Sequence, residues 1–297
     1  SQGFLFMQQS ENIRGAIYMC LSMVGFVFND AVIKYASTDI GIYQSIFVRG
    51  CFAVIIIGAA CFYSGAFKNI PGKLDHKFIF WRTLAEIFAT VSFLTALFYL
   101  PIANITAILQ ALPLTVTLAA SWFLGEKIGW RRGIAILIGF FGVLLIIQPG
   151  TDEFNIYSIL GVVCVVFVTL RDLVVRKFST NISTLYVAFI TAAAIALVGG
   201  FLTFVYEGWT PMKLNEIILL FIASSLIFVG YFFAISAMRA GQVSFVSPFR
   251  YTIMIWAIIL GYFIWGDIPN NLTLIGISIV IGMGIFTFWR EARIQKK

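Results

Sequence analysis

Ten apolar runs, each about as long as a helix must be to cross a bilayer, leave this chain little choice of fold. They cover roughly 14–36, 42–64, 78–100, 103–124, 132–148, 156–175, 183–206, 215–237, 243–265 and 272–290. A helix rises about 1.5 Å per residue, so ~20 apolar residues span the ~30 Å of hydrocarbon. A transmembrane β-barrel would instead show short segments of alternating polarity. Only 11% of the 297 residues are charged and 61% are hydrophobic, whereas a soluble domain carries about a quarter charged. The expectation is an all-α membrane protein of ten spans.

Two stretches repeat across an odd number of those spans. Asp30 to Asp39 reads DAVIKYASTD and Asp172 to Asn181 reads DLVVRKFSTN. Gly125-Glu126 closes one apolar run, and Gly266-Asp267 closes another at almost the same offset. Five spans separate each landmark from its counterpart, which turns the second copy over in the bilayer. The pattern predicts a 5+5 inverted repeat, residues 1–150 and 151–297, divided at the polar turn Gln148 to Glu153. Inverted repeats are the design by which many secondary transporters open alternately to two sides.

The net charge of +7 reflects topology. With the N-terminus placed in the cytoplasm, fourteen lysines and arginines outside the spans fall on that side. Only Lys213, and Lys34 at the end of span one, fall opposite. That bias puts both termini in the cytoplasm, predicts a bacterial inner membrane, and leaves no basic surface for nucleic acid. Cys20, Cys51, Cys61 and Cys164 all lie within spans without CxxC spacing, so they read as small apolar fillers. The apolar stretch Gly3 to Met7 is too short for a secretory signal. Glycines line one face of spans five and ten, at Gly139, Gly142 and from Gly276 to Gly284. Close approach there serves packing against neighbours, or a homodimer through spans 5 and 10.

Charge inside spans is expensive and marks structure or function. The bases there are Arg49, Arg82, Arg171 and Arg250, and the acids are Asp30, Glu86 and Asp172. Arg82 and Glu86, spaced i, i+4, share a helix face and read either as a structural ion pair or as lining. Asp30 with Lys34 and Asp172 with Arg176 share that spacing, as helix-end pairs or as gates. Arg49 is within reach of Asp30. Arg171 precedes Asp172 and is expected to point about 100° away from it around the helix. Arg250 and Tyr251 follow Pro248 in SPFRYT, where the proline disturbs the helix and a guanidinium fork meets an amphipathic ring. Gln110 precedes Pro113 in the corresponding span of the first half. Asn29, Tyr99, Trp256 and Ser224 complete the candidate lining. Gate or coupling roles are assigned to Asp30, Arg49, Arg171 and Asp172.

The stretch LPIANITAILQALPLTVTLAASWFLGEKIGWRRGIAILIGFFGVLLIIQPG, from Leu100 to Gly150, resembles the drug/metabolite transporter superfamily, in its ten-span EamA-type branch. VSPFRYTIMIWAIILGYFIWGDIPNNLTLIGISIVIGMGIF, from Val246 to Phe286, answers it in the second half. The resemblance implies a central cavity lined by spans 1, 3, 4, 6, 8 and 9, with spans 5 and 10 peripheral. Glu126 falls at the family's acidic position after span four, and Asp267 replaces the commoner Glu in the second copy. The SPFRYT motif is similar to branches that carry vitamins such as riboflavin, S-adenosylmethionine or organic acids.

These readings converge on a secondary transporter for a small organic metabolite, favoured as carboxylate-bearing because arginine outnumbers acid inside the spans. An exporter of amphipathic cations by proton antiport is the alternative, with Glu86 its candidate acid. An intramembrane enzyme or a receptor is the reading from another class. Asp30 and Asp172 lie near opposite membrane faces, His76 sits in a loop, and HExxH, GxSxG and a nucleotide loop are all missing. The expectation is a non-enzyme without metal or cofactor.

Overall fold

A computed structural model describes residues 2–36, 38–68, 71–125, 129–175, 177, 182–240 and 246–295. Helix accounts for 86% of it, and no strand occurs among the described residues. Among the described residues the α-helices follow in order: α1 (Gln2–Ala36), α2 (Ile42–Ser64), α3 (Lys73–Tyr99), α4 (Ile102–Leu109), α5 (Leu112–Leu124) and α6 (Trp130–Ile147). After the midpoint come α7 (Ser158–Val175), α8 (Thr184–Leu202), α9 (Leu214–Ala240), α10 (Ile253–Leu260) and α11 (Asn271–Gln295).

Local chemistry explains where they stop. Gly65 (φ +71°) and Gly125 (φ +70°) close α2 and α5 in the left-handed conformation that glycine tolerates, and the Gly65 N–H caps the carbonyls of Cys61 and Phe62. Pro113 has no N–H to continue a helix, and the fourth span divides at Gln110-Ala111 into α4 and α5. Pro248 acts likewise in span nine, which begins as a 3-10 turn over Ser247–Thr252 before becoming α10. Spans seven and nine end in single π turns, Thr203–Glu207 and Gly261–Trp265.

Nine helical stretches among the described residues are long and apolar enough to cross a membrane. The sixth expected span is α7, an 18-residue helix that holds Arg171 and Asp172 and is not one of the nine. The chain is a multi-pass membrane protein. Glu126, Arg176 and the Ser179 to Asn181 end of the repeated motif lie outside the described residues.

Packing gathers the helices into two units that draw on both halves of the sequence. One comprises Ser1–Phe28, Leu100–Ser158 and Val229–Lys297; the other comprises Asn29–Tyr99 and Ile159–Phe228. In the first, α6 runs along α11 and α4 packs on α10. A Cβ placed on Gly142 would stand 2.9 Å from the Gly276 carbonyl oxygen, so only paired glycines allow that approach. Met19, Met23, Ala237 and Val246 form a buried cluster in this unit, and the Ser22 hydroxyl donates to the Gly230 carbonyl at 2.7 Å. At one end of the α6–α11 pair the Gln148 amide donates to Asn270 at 2.9 Å and to Thr273 at 3.2 Å.

In the second unit α2 runs along α8, and a Cβ on Gly50 would meet that of Ala196 at 2.8 Å. A clasp closes one end of this pair too. The fully buried Gln44 side chain donates to the Thr210 carbonyl at 2.7 Å and accepts from the Thr210 N–H at 2.9 Å. The Glu207 carboxylate accepts from the Gln44 N–H at 2.9 Å, placing an anion at the start of α2. α3 leans on α8, and Phe88 of α3 stacks on Phe167 of α7 at 5.0 Å.

Candidate functional site

Nine of the predicted site residues fall in the second unit, and most of them form two polar clusters between its helices. The larger one joins α3, α7 and α8. Arg171 of α7 donates from Nη1 to both oxygens of Glu86 of α3, at 2.9 and 3.3 Å. Its Nε and Nη2 lie 2.8 and 2.7 Å from Oδ1 of Asp172. The expected divergence of Arg171 from Asp172 is therefore corrected. Its long side chain bends back, so that one guanidinium serves its neighbour on α7 and a carboxylate on another helix.

Glu86 is not neutralised chiefly by its helix neighbour either. Arg82 Nη2 stands 3.7 Å from Glu86 Oε2, an ion pair but too long for a hydrogen bond. Arg82 instead donates from Nη1 to the Thr191 hydroxyl of α8 at 2.7 Å, and that hydroxyl donates to the Val187 carbonyl at 2.8 Å. Three of these side chains are mostly withdrawn from solvent, with exposures of 17% for Arg82, 11% for Glu86 and 21% for Arg171, whereas Asp172 is 39% exposed. In such surroundings charge persists only where it is balanced and hydrogen-bonded.

The second cluster joins α1 and α2. Arg49 reaches Asp30 by way of Asn29: Nη1 donates to the Asn29 oxygen at 3.5 Å, and the Asn29 amide donates to Asp30 at 2.9 Å. Arg49 and Asn29 are both buried. Ser224 of α9 is buried nearby, its hydroxyl within hydrogen-bond distance of the carbonyls of Arg49 (2.8 Å) and Leu220 (2.9 Å). It binds backbone to backbone and points no donor at a ligand. Tyr99 ends α3 half-exposed, edge-on to Phe98.

Of the seven charged residues singled out within the spans, Arg49, Arg82 and Arg171 stand against Asp30, Glu86 and Asp172 in this unit, and Arg250 lies in the other; Glu216 of α9 adds a further buried acid to this unit.

The remaining four predicted residues belong to that other unit. Gln110 is buried at the α4–α5 break and donates to the Thr106 carbonyl at 3.0 Å. Arg250 is exposed within the 3-10 turn. Tyr251 is buried, its hydroxyl against Gly284 and without a hydrogen-bond partner among the described residues. Trp256 stands 6.0 Å from Phe28 and lines an apolar groove of about 450 Å³ with Ile13, Ile17, Cys20, Leu21 and Phe249. That groove offers no charged group to a polar solute.

Sequence reasoning missed Thr191 and the Gln44 clasp. Thr191 stands in the run AFITAAAI, where a threonine ordinarily satisfies itself on its own helix. Only the position of Arg82 on another helix shows its second use.

Comparison with known proteins agrees with the membrane architecture. The model of the EamA-like transporter family matches the chain twice, over residues 13–148 and 155–289. An S-adenosylmethionine uptake transporter of Rickettsia felis is 27% identical over 96% of this chain and 96% of its own length. A riboflavin transporter of Vibrio cholerae is 25% identical, again over 96% of each. A solved crystal structure superposes with a TM-score of 0.63 at 16% identity, covering 96% of this chain and 99% of its own, which supports the fold alone. These relatives are transporters rather than enzymes. With two matches that together cover most of its length, the chain belongs to the EamA-like transporter family.

Proposed function

We propose that this protein is a secondary transporter of the bacterial inner membrane that moves a small carboxylate-bearing metabolite by alternating access. The observation that carries the reading is the balanced ion network of Glu86, Arg171, Asp172 and Arg82, which joins the candidate span α3 to the apolar helix α7. An ionic network at that depth costs stability, and transporters use such groups to bind and release charged cargo. The double family match supports a 5+5 repeat, residues 1–150 and 151–297; the odd span count between the copies makes it inverted in this reading, and the bias of Lys and Arg places both termini in the cytoplasm. The related uptake and riboflavin transporters support a small organic solute as cargo. The candidate substrate contacts of this reading are Arg82, Glu86, Asn29 and Tyr99 in one unit and Arg250, Tyr251, Gln110 and Trp256 in the other. Asp30, Arg49, Arg171 and Asp172 are the gate or coupling groups of this reading.

Export of amphipathic cations fits less well. It requires a carboxylate ready to take up a cation, and Glu86 is held by Arg171 at 2.9 Å. A homodimer through spans 5 and 10 would use outward side chains such as Phe141, Leu144 and Ile275, all exposed, since Gly142 and Gly276 are spent on each other.

The test is uptake by proteoliposomes containing the purified protein, with labelled metabolites sorted by charge. Saturable flux of carboxylates, absent from empty vesicles, is the expected result. Flux confined to cations would overturn the substrate class, and no saturable flux of any compound would overturn the transporter assignment.

A further inference from the structure

The two arginines that flank Glu86 look interchangeable in the sequence and are not so in space. Arg171 is saturated: Nε and Nη2 lie against Asp172, and Nη1 against Glu86. Arg82 commits only Nη1, to Thr191. Its Nη2 is 3.7 Å from Glu86, and its Nε has no hydrogen-bond partner among the described residues. A guanidinium carries five N–H donors in a planar fork. One that is 17% exposed and uses a single donor holds the rest ready for a planar acceptor.

Thr191 explains why the fork does not close on Glu86. The residue is buried on α8, and its hydroxyl proton goes to the Val187 carbonyl at 2.8 Å. Its lone pairs are thereby fixed toward Arg82. A β-branched residue in a helix has few rotamers, so this anchor does not follow the arginine if it swings. The guanidinium is held off the carboxylate by about the margin that separates an ion pair from a hydrogen bond.

We infer that Arg82 is the residue that reads the substrate's carboxylate, that Thr191 is its positioning residue, and that Arg171, one of the gate groups named above, holds Glu86 and Asp172 and does not contact the substrate. The inference rests on the transporter reading above. Glu86 holds Arg82 loosely, at 3.7 Å, and the substrate's carboxylate takes the unused Nε and Nη2 edge. A single negative charge fits better than a phosphate dianion, because the four charges of this cluster, Arg82 and Arg171 against Glu86 and Asp172, already cancel.

Matched pairs in which the amide has lost the sole carboxylate test this in proteoliposomes of the full chain: nicotinate and nicotinamide, methionine and methioninamide. The wild type is expected to move at least one carboxylate in preference to its amide. Thr191→Val keeps the shape and removes the hydroxyl. It should raise KM for that carboxylate about tenfold, the loss of one charge-assisted hydrogen bond, with Vmax within about twofold and the amide unaffected. Thr191→Ser should restore the preference, and Arg82→Gln should abolish it. A purely structural Thr191 would lower Vmax and melting temperature for both members of a pair and leave their ratio alone. An unchanged ratio in Thr191→Val or in Arg82→Gln overturns the inference. Wild-type flux that ignores the carboxylate overturns it too while transport stands, and no flux of either member overturns both.

Discussion

At Arg171 three nitrogens face two carboxylates from two positions, one on its own helix and one on α3. Replacing it by methionine leaves Glu86 and Asp172 without their shared partner; among the described residues Arg82, 3.7 Å from Glu86, is the base that remains beside Glu86. Breaking a buried ion pair from one side costs more than the pair contributes, because the remaining charge is stranded. Arg171→Met should therefore lower stability by about 3 kcal/mol, read as a fall in melting temperature in detergent. Adding Glu86→Gln and Asp172→Asn removes the stranded charges, and the triple variant should regain most of the loss. If the triple variant melts as low as the single one, the network is not what holds α3 to α7. The charges themselves were legible as residues, since any ion in an apolar run stands out. Their partners were not. Helical spacing pointed Glu86 at Arg82, whereas a guanidinium on a four-bond stem from α7 reached it first.

Between whole helices the determinant is how closely backbones approach. Gly142 on α6 faces the carbonyl of Gly276 on α11, which cannot move aside as a side-chain tip would. Gly142→Ala should push the two helices apart at a cost of about 1–3 kcal/mol. Gly282, on the same α11 but with open space where a Cβ would stand, is the control: Gly282→Ala should leave the melting temperature unchanged or raise it slightly. Equal effects at the two sites would mean that helix propensity, and not contact, sets the response. The glycine face of spans five and ten was visible as a periodic pattern, and so were the interruptions at Pro113 and Pro248, where chemistry acts locally. Gly50 and Gly199 on α2 and α8 carried no comparable signal. Isolated glycines in apolar runs look alike whether they face lipid or, as Gly50 does, the backbone of Ala196.

For the molecule as a whole, the contiguous halves and the packed units divide the chain differently, and this governs what a fragment can do. Residues 1–150 hold α2 and α6, whose packing partners α8 and α11 lie in residues 151–297. Lipid tails can cover an uncovered apolar face at little cost, so the loss of apolar packing alone would be tolerable in a bilayer. Polar groups are another matter. Without the second half, Gln44 loses both hydrogen bonds to Thr210, Glu86 loses Arg171, and Arg82 loses Thr191. Each unsatisfied group in hydrocarbon costs several kcal/mol, against a total stability that is itself only about 5–15 kcal/mol. Either half expressed alone should therefore fail to accumulate as folded protein. The two expressed together from separate start sites, cut in the turn between 150 and 151, should co-purify and show one cooperative melting transition. Size-exclusion profiles in detergent, followed by uptake assays on the reassembled pair, make the comparison. A monodisperse, cooperatively melting 1–150 fragment would show that each half satisfies its own polar groups, and that the contacts of Arg171 and Gln44 across the halves are not what makes them fold together.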